Sequence, residues 1–208
     1  MAIGTYAELQ TAVANWLDRD DLTARIPEFI ALSEARFNRV LRLRSMEAKY
    51  TANTVAAQRN LALPAGYIQM RNFQVNKSPL VTLSYVTPEI YDRIHGGSAS
   101  GIPKFYTILA NEISLGPIPS SVMEVEMLFY KKFDNLSVGS PTNLLLTDSP
   151  DIYLYGAMLE AEPFIMNDER VPLWAAAVDK AVADMQEQDN KDRHSGSALR
   201  VMNTSGYV

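Results

Sequence analysis

Four carboxylates crowd the stretch LLTDSPDIYLYGAMLEAEPF, residues 145–164: Asp148, Asp151, Glu160 and Glu162. Acids at that density can act as general acid and base, so a hydrolase using Asp148 or Glu160 is one reading of the chain. The remaining chemistry is thin. Neither His95 nor His194 has a histidine partner one helical turn away, which excludes an H-E-x-x-H metal site. Gly96 and Gly101 are spaced like the glycines of a phosphate-binding loop, but Ile102-Pro103 stand where Lys-Ser or Lys-Thr belongs. The run DRDDLT opens like a calcium loop, yet Leu22 fills the fifth position and no glycine follows. With no cysteine, a disulfide frame, a thiolate zinc site and a cysteine nucleophile are impossible, and no G-x-S-x-G elbow occurs. The sequence calls for no catalytic residue, no metal and no cofactor.

The elements that would carry the four acids give them a different role. Asp148 or Ser149 can cap a helix, Pro150 suits its first turn, and Asp151 complements the positive end of its dipole. Ile152, Tyr155, Leu159 and Glu162 then fall along one side, and Gly156 allows another helix to approach closely. The acids thus read as start signal and rim of a structural helix, with Glu160 either pairing with a base elsewhere or facing water.

The periodicity changes twice along the chain. Thr5-Tyr6-Ala7-Glu8 is a capping box, followed by Leu9, Val13, Trp16 and Leu17 at helical spacing. A second helix is predicted from about Ile26 to Met46, carrying Arg36, Arg39, Arg42 and Arg44 in its distal half. Short β-type runs cut by Pro, Gly and Asn occupy 48–132, among them a hairpin with Ala110-Asn111 at its centre. In 122–130, Glu124 and Glu126 alternate with apolar residues and predict a strand with one wet face. TPEIYDRIHGG, within that region, predicts one short helix, and 96–101 a mobile loop. Helical period returns for two further helices, the last with Trp174 on its apolar stripe. Trp16 and Trp174 read as core. The fold class is therefore α+β: an antiparallel bundle of two N-terminal helices (1–47) and two C-terminal helices (141–192), an inserted small antiparallel β region (48–140), and a flexible extended tail (193–208).

The formal net charge of −5 opposes DNA binding through overall charge, though not a surface past which DNA slides. No apolar run reaches bilayer length and the N-terminus lacks a signal-peptide pattern, so the chain reads as soluble and made inside a cell. The tail has spaced apolar residues, Leu199, Val201, Met202 and Tyr207, with Arg200 among them. A segment too short to bury these on itself orders on a partner.

LLLTDSPDIYLYGAMLEAEPFIMNDERVPLW resembles head-to-tail adaptor (connector) proteins of tailed bacteriophages, in which a Pro-Asp-x-Tyr-Leu-Tyr-Gly helix precedes Asp-Glu-Arg and a tryptophan-bearing helix. YAELQTAVANWLDRDDLTARIPEFIALSEARFNRVLR is similar to their N-terminal half, and LPAGYIQMRNF and GIPKFYTILANEISLGPIP to their middle. The likeness runs in order over nearly the whole chain.

The resemblance implies a non-enzymatic virion protein of the neck, made in the host cytoplasm and docked beneath the portal protein. Its implied partners are the portal, a tail or nozzle protein and other copies of itself, about twelve in a ring with head-to-tail contacts. DNA would pass through its channel without sequence-specific binding, and no membrane is involved. On this reading Leu199, Arg200, Val201, Met202 and Tyr207 contact the portal, and Arg36, Arg39, Arg42 and Arg44 face a neighbouring subunit or the channel. The alternative is a soluble α+β nucleic-acid-binding or regulatory module whose arginine-bearing helix docks nucleic acid, which the acidic balance opposes.

Overall fold

A computed structural model describes residues 3–95, 99–166 and 169–194. The chain is mixed α and β, and divides into two compact units, Met1–Ser45 with Phe133–Val208, and Met46–Lys132. Nothing described in the long helices meets the requirements of a membrane span: among the described residues no helix is long and apolar enough to cross one.

The first unit holds helices α1 (Tyr6–Leu17), α2 (Ile26–Val40), α4 (Leu144–Asp148), α5 (Pro150–Ala161) and α6 (Val171–His194). The capping box at α1 is complete: Thr5 Oγ1 accepts from the Glu8 amide, and Glu8 accepts from the Thr5 amide. Helix α5 is apolar on nearly every side, with Ile152, Tyr153, Leu154, Gly156, Ala157, Met158, Leu159 and Ala161 buried. A helix that is apolar all round must be enclosed, and α5 packs against α1, α2, α4 and α6. At Gly156 the approach of α2 is close: a Cβ there would lie 2.6 Å from Phe37 Cζ and 3.1 Å from Ser33 Cβ. Phe37 in turn meets Tyr153 edge-on at 5.6 Å. Pro150 is the first residue of α5, and Ser149 sits at its N-cap without donating or accepting a side-chain capping bond. A side-chain cap is made instead at the preceding helix, where Asn143 Oδ1 accepts from the Leu146 amide and starts α4.

Helix α2 stops at Val40, short of the predicted Met46. Leu41 is extended (φ −79, ψ 140), and its amide closes the helix on Phe37 O. Leu41 and Leu43 are then both buried, at the two-residue spacing of extended chain, and a 3₁₀ turn, Arg44–Met46, follows. The benefit of burying both leucines from an extended segment outweighs one more helical turn.

The second unit contains β1 (Glu47–Asn53), β2 (Asn60–Ala62), β3 (Tyr67–Val75), β4 (Val81–Thr82), β5 (Ser84–Tyr85), α3 (Pro88–His95), β6 (Ser100–Gly101), β7 (Phe105–Leu109), β8 (Glu112–Gly116), β9 (Ile118–Pro119) and β10 (Glu124–Lys131). One sheet has the order β1-β10-β3-β4, a second β2-β8-β7-β5, and β6 pairs with β9. The long ladders are antiparallel, whereas the two-residue pairings β5–β7 and β6–β9 are parallel. Both sheets contribute to one core, in which Phe73 and Tyr106 meet edge-on at 5.1 Å beside Val75, Ile113, Val125 and Met127. On β10 the residues Val125, Met127 and Phe129 are buried while Glu124 is exposed and Glu126 pairs with Lys49 of β1 at 2.7 Å, the alternation expected of a strand with one wet face. The β7–β8 hairpin turns through Ala110 at φ 53. Tyr91 of α3 donates its hydroxyl to Leu115 O at 2.9 Å and is buried.

Candidate interaction surfaces

The four acids of residues 145–164 separate into three environments. Asp148, the last residue of α4, and Asp151, in the first turn of α5, are both exposed. Glu160 tethers α5 to α2: its Oε1 accepts from Arg36 Nε at 2.9 Å and Arg36 Nη2 at 2.6 Å. Glu162, read from the sequence as part of a rim, is fully buried. Its Oε1 accepts from Trp174 Nε1 at 2.8 Å, and its Oε2 has no hydrogen-bond partner among the described residues. Trp174 closes over this carboxyl in an aromatic cluster with Tyr155, stacked at 6.1 Å, and Trp16 at 5.7 Å. Trp16 remains 49% exposed, so the cluster is a boundary of the core and reaches solvent.

The four arginines 36, 39, 42 and 44 do not share a helix face, because α2 ends between them. Arg36 is committed to Glu160. Arg42 donates to Asn38 O and Leu41 O, closing the C-terminal carbonyls of α2. Arg44 lies in the 3₁₀ turn; its amide donates to Asp189 Oδ1 at 2.6 Å and its Nη1 to Asp192 O. Arg39 is exposed and has no ion-pair or hydrogen-bond partner among the described residues.

Sequence reasoning overlooked Glu34. It is buried on α2, where its Oε1 accepts from the Leu136 amide at 2.7 Å and from the Tyr153 hydroxyl at 3.2 Å. Asn143 Nδ2 donates to that same hydroxyl at 2.7 Å and to Asp134 O at 2.9 Å. Phe133 N–H donates to Asn38 Oδ1, so two side chains of α2 hold the returning segment at 133 and 136. Burial pushes the Glu34 carboxyl above its ordinary range, outweighing the two donors that favour its ionised form. Burial likewise raises the Tyr153 phenol, opposed by Asn143 and reinforced by Glu34. The only sequence signal for this site is an acid inside an otherwise apolar helix face.

A groove of ≈ 570 Å³ lies where the start of α5, the 43–45 segment and the last turns of α6 meet. Leu43, Ala181 and Met185 give it an apolar floor, and Asp148, Asp151, Asp184, Asp189 and Asp192 an acidic rim. Asp189 is satisfied by Arg44 and by Arg193 Nε at 2.6 Å, whereas Asp148, Asp151 and Asp184 are exposed and have no ion pair among the described residues. No group of three or more potential metal ligands is arranged around an ion site among the described residues.

A family model described as SU10 adaptor protein matches residues 4–202. The chain belongs to the SU10 adaptor protein family. That membership agrees with the likeness to phage head-to-tail adaptors borne by residues 144–174. No curated protein matches the chain.

In this SU10 adaptor family member, the residues that carry the likeness have structural occupations. Pro150 begins α5, Tyr153 bonds Glu34 from the core, Tyr155 stacks on Trp174, and Gly156 admits Phe37. Asp151 is exposed and lines the acidic groove. The five tail positions Leu199, Arg200, Val201, Met202 and Tyr207 lie outside the described residues, as do 96–98 of the loop predicted at 96–101.

Proposed function

We propose that the chain is a structural protein of a bacteriophage neck, an adaptor that docks beneath the portal, extends the DNA channel and attaches the tail or nozzle. The observation that carries this reading is the SU10 adaptor family match across 199 of the 208 residues, from residue 4 to residue 202. The helical unit, organised as an antiparallel bundle around α5, is the rigid body of each subunit. Subunits join through two different faces, as a closed ring on the portal requires, in about twelve copies. Portal contacts come from Leu199, Arg200, Val201, Met202 and Tyr207. Of the four arginines, Arg39 is the one whose exposure suits a neighbouring subunit or passing DNA; Arg36, Arg42 and Arg44 have structural partners within their own subunit. DNA passes without sequence-specific recognition, consistent with the net charge of −5.

The test is co-assembly. The protein mixed with its cognate portal is expected to yield rings seated on the portal, visible by electron microscopy, and deletion of 197–208 is expected to weaken attachment while leaving the melting temperature unchanged. Truncated protein that saturates portals at the same concentration would remove the tail from the interface. Absence of any portal complex with the full chain would overturn the reading.

A further inference from the structure

We propose that the open edge of β1 is a docking site for β1 of a second copy of this chain, the two strands pairing antiparallel about Tyr50. The seven-residue β1 lies at an edge of its sheet, and among the described residues no strand pairs with its other side. The other edges of the two four-stranded sheets, β2, β4 and β5, are only two or three residues long. Edge strands are ordinarily blunted by proline, bulges or outward charge. β1 contains no proline or glycine, pairs with β10 without a break in register, and has its lysine, Lys49, tied to Glu126 across the ladder.

The ladder decides which backbone groups face the open edge. Thr54 N–H donates to Met123 O at 2.9 Å, between the β1 and β10 chains, and Asn76 N–H donates to Glu124 O at 2.8 Å, between β3 and β10. Bonding alternates residue by residue in an antiparallel pair, so Ala48, Tyr50 and Ala52 bond β10, while the N–H and C=O of Lys49, Thr51 and Asn53 point to the open side. Those three residues are exposed. Tyr50 lies opposite buried Met127 and shares the core face of the sheet, yet with no strand beyond it Tyr50 is 45% exposed.

The sequence EAKYTAN fits a second copy of itself. With a two-fold axis at Tyr50, Lys49 faces Thr51 of the second copy in hydrogen-bonded pairs, Ala48 faces Ala52, and Glu47 faces Asn53. The two tyrosines form the close, non-hydrogen-bonded pair at the axis, and no like charges meet. An axis at Lys49 would set two lysines directly opposite, which is unfavourable, and an axis at Thr51 would set each tyrosine against an alanine. The contact is isologous, so it is distinct from the head-to-tail faces of a ring. A seven-residue edge is small beside a standard interface of about 1,600 Å², so the product is a weak dimer that covers the long strand edge in the free protein.

The dimer does not depend on the portal reading and is tested on the full-length protein alone. Sedimentation is expected to show monomer–dimer exchange between about 10 μM and about 1 mM. Thr51→Pro removes an N–H that the β10 ladder does not use, and is expected to keep the protein monomeric over that range with the circular dichroism of the parent. The chain has no cysteine, so Tyr50→Cys places a single thiol at the axis, where a Cα separation of about 4.5 Å suits a disulfide. Mild oxidation is expected to link Tyr50→Cys into dimers about tenfold faster than Val55→Cys, whose position is 57% exposed but is carried far from its mate by the pairing. A parent protein that stays monomeric to about 1 mM, dimers that persist in Thr51→Pro, or equal cross-linking at the two positions overturns the proposal.

Discussion

Trp174 Nε1 donates to Glu162 Oε1 at 2.8 Å, and the carboxyl it caps is fully buried. The last turn-forming residues of α5 and the first turn of α6 are thereby joined through a polar atom inside an aromatic cluster. Replacing Trp174 with Phe keeps most of the ring contact and removes the donor. A buried acceptor left without a donor costs about 1–3 kcal/mol, and that loss is expected in urea denaturation with an unchanged slope. An unmoved midpoint would mean that Glu162 finds water or another donor, and that the indole nitrogen contributes nothing to stability.

Gly156→Ala tests the contact between α2 and α5. Alanine favours a helix by about 1 kcal/mol over glycine, but the new methyl would meet Phe37 Cζ at 2.6 Å. Phe37 is buried and packs edge-on against Tyr153. Overpacking of this kind costs about 1–3 kcal/mol, so net destabilisation is expected, partly recovered by Phe37→Leu in the double variant. A higher melting temperature for Gly156→Ala alone would show that the two helices separate readily there.

Glu34 supplies a pH dependence with a defined sign. Its folded-state pKa is raised above the ordinary 4.5 by burial, so the folded chain binds its proton more tightly than the unfolded chain does. The resulting stabilisation is full below the unfolded value and is lost as pH rises through the folded value. Relative to Glu34→Gln, the parent protein is expected to lose stability as pH rises from 4.5 into the weakly acidic range. Tyr153 and Tyr6, the phenols that feel Glu34, are both raised from the ordinary 10.0 and stay protonated throughout this window. Parallel stability curves for the two proteins, or the opposite slope, would refute the assignment.

The Arg36–Glu160 pair has side-chain exposures of 41% and 20%, so water screens it. A double-mutant cycle with Arg36→Ala and Glu160→Gln is expected to return a coupling of about 0.2–1 kcal/mol, declining with added salt. A hydrolase reading requires much more of Glu160: hydrolytic turnover that disappears with Glu160→Gln. Stable folding of Glu160→Gln with no activity to lose is the outcome expected of a tether.

The features legible in the sequence are those whose partners are close along the chain. Thr5 and Glu8 form a capping box within four residues, and the alternation at Val125, Met127 and Phe129 is a property of any half-buried strand. Ala110-Asn111 marked its hairpin, and Gly156 its helix crossing, because each reflects a local backbone or volume requirement. What the tertiary structure decided involves distant or context-dependent partners. Glu34 bonds Leu136 and Tyr153 across 102 and 119 positions, a pairing no local period encodes. The arginines lost their common helix when extended Leu41 and Leu43 gained burial, a choice made by the cavity that receives them. Glu162 falls on the same helical stripe as Ile152, Tyr155 and Leu159, and the donor that meets its buried carboxyl, Trp174, arrives from the next helix. Local patterns set which segments are helices and strands; burial of polar groups depends on donors that folding alone brings within reach.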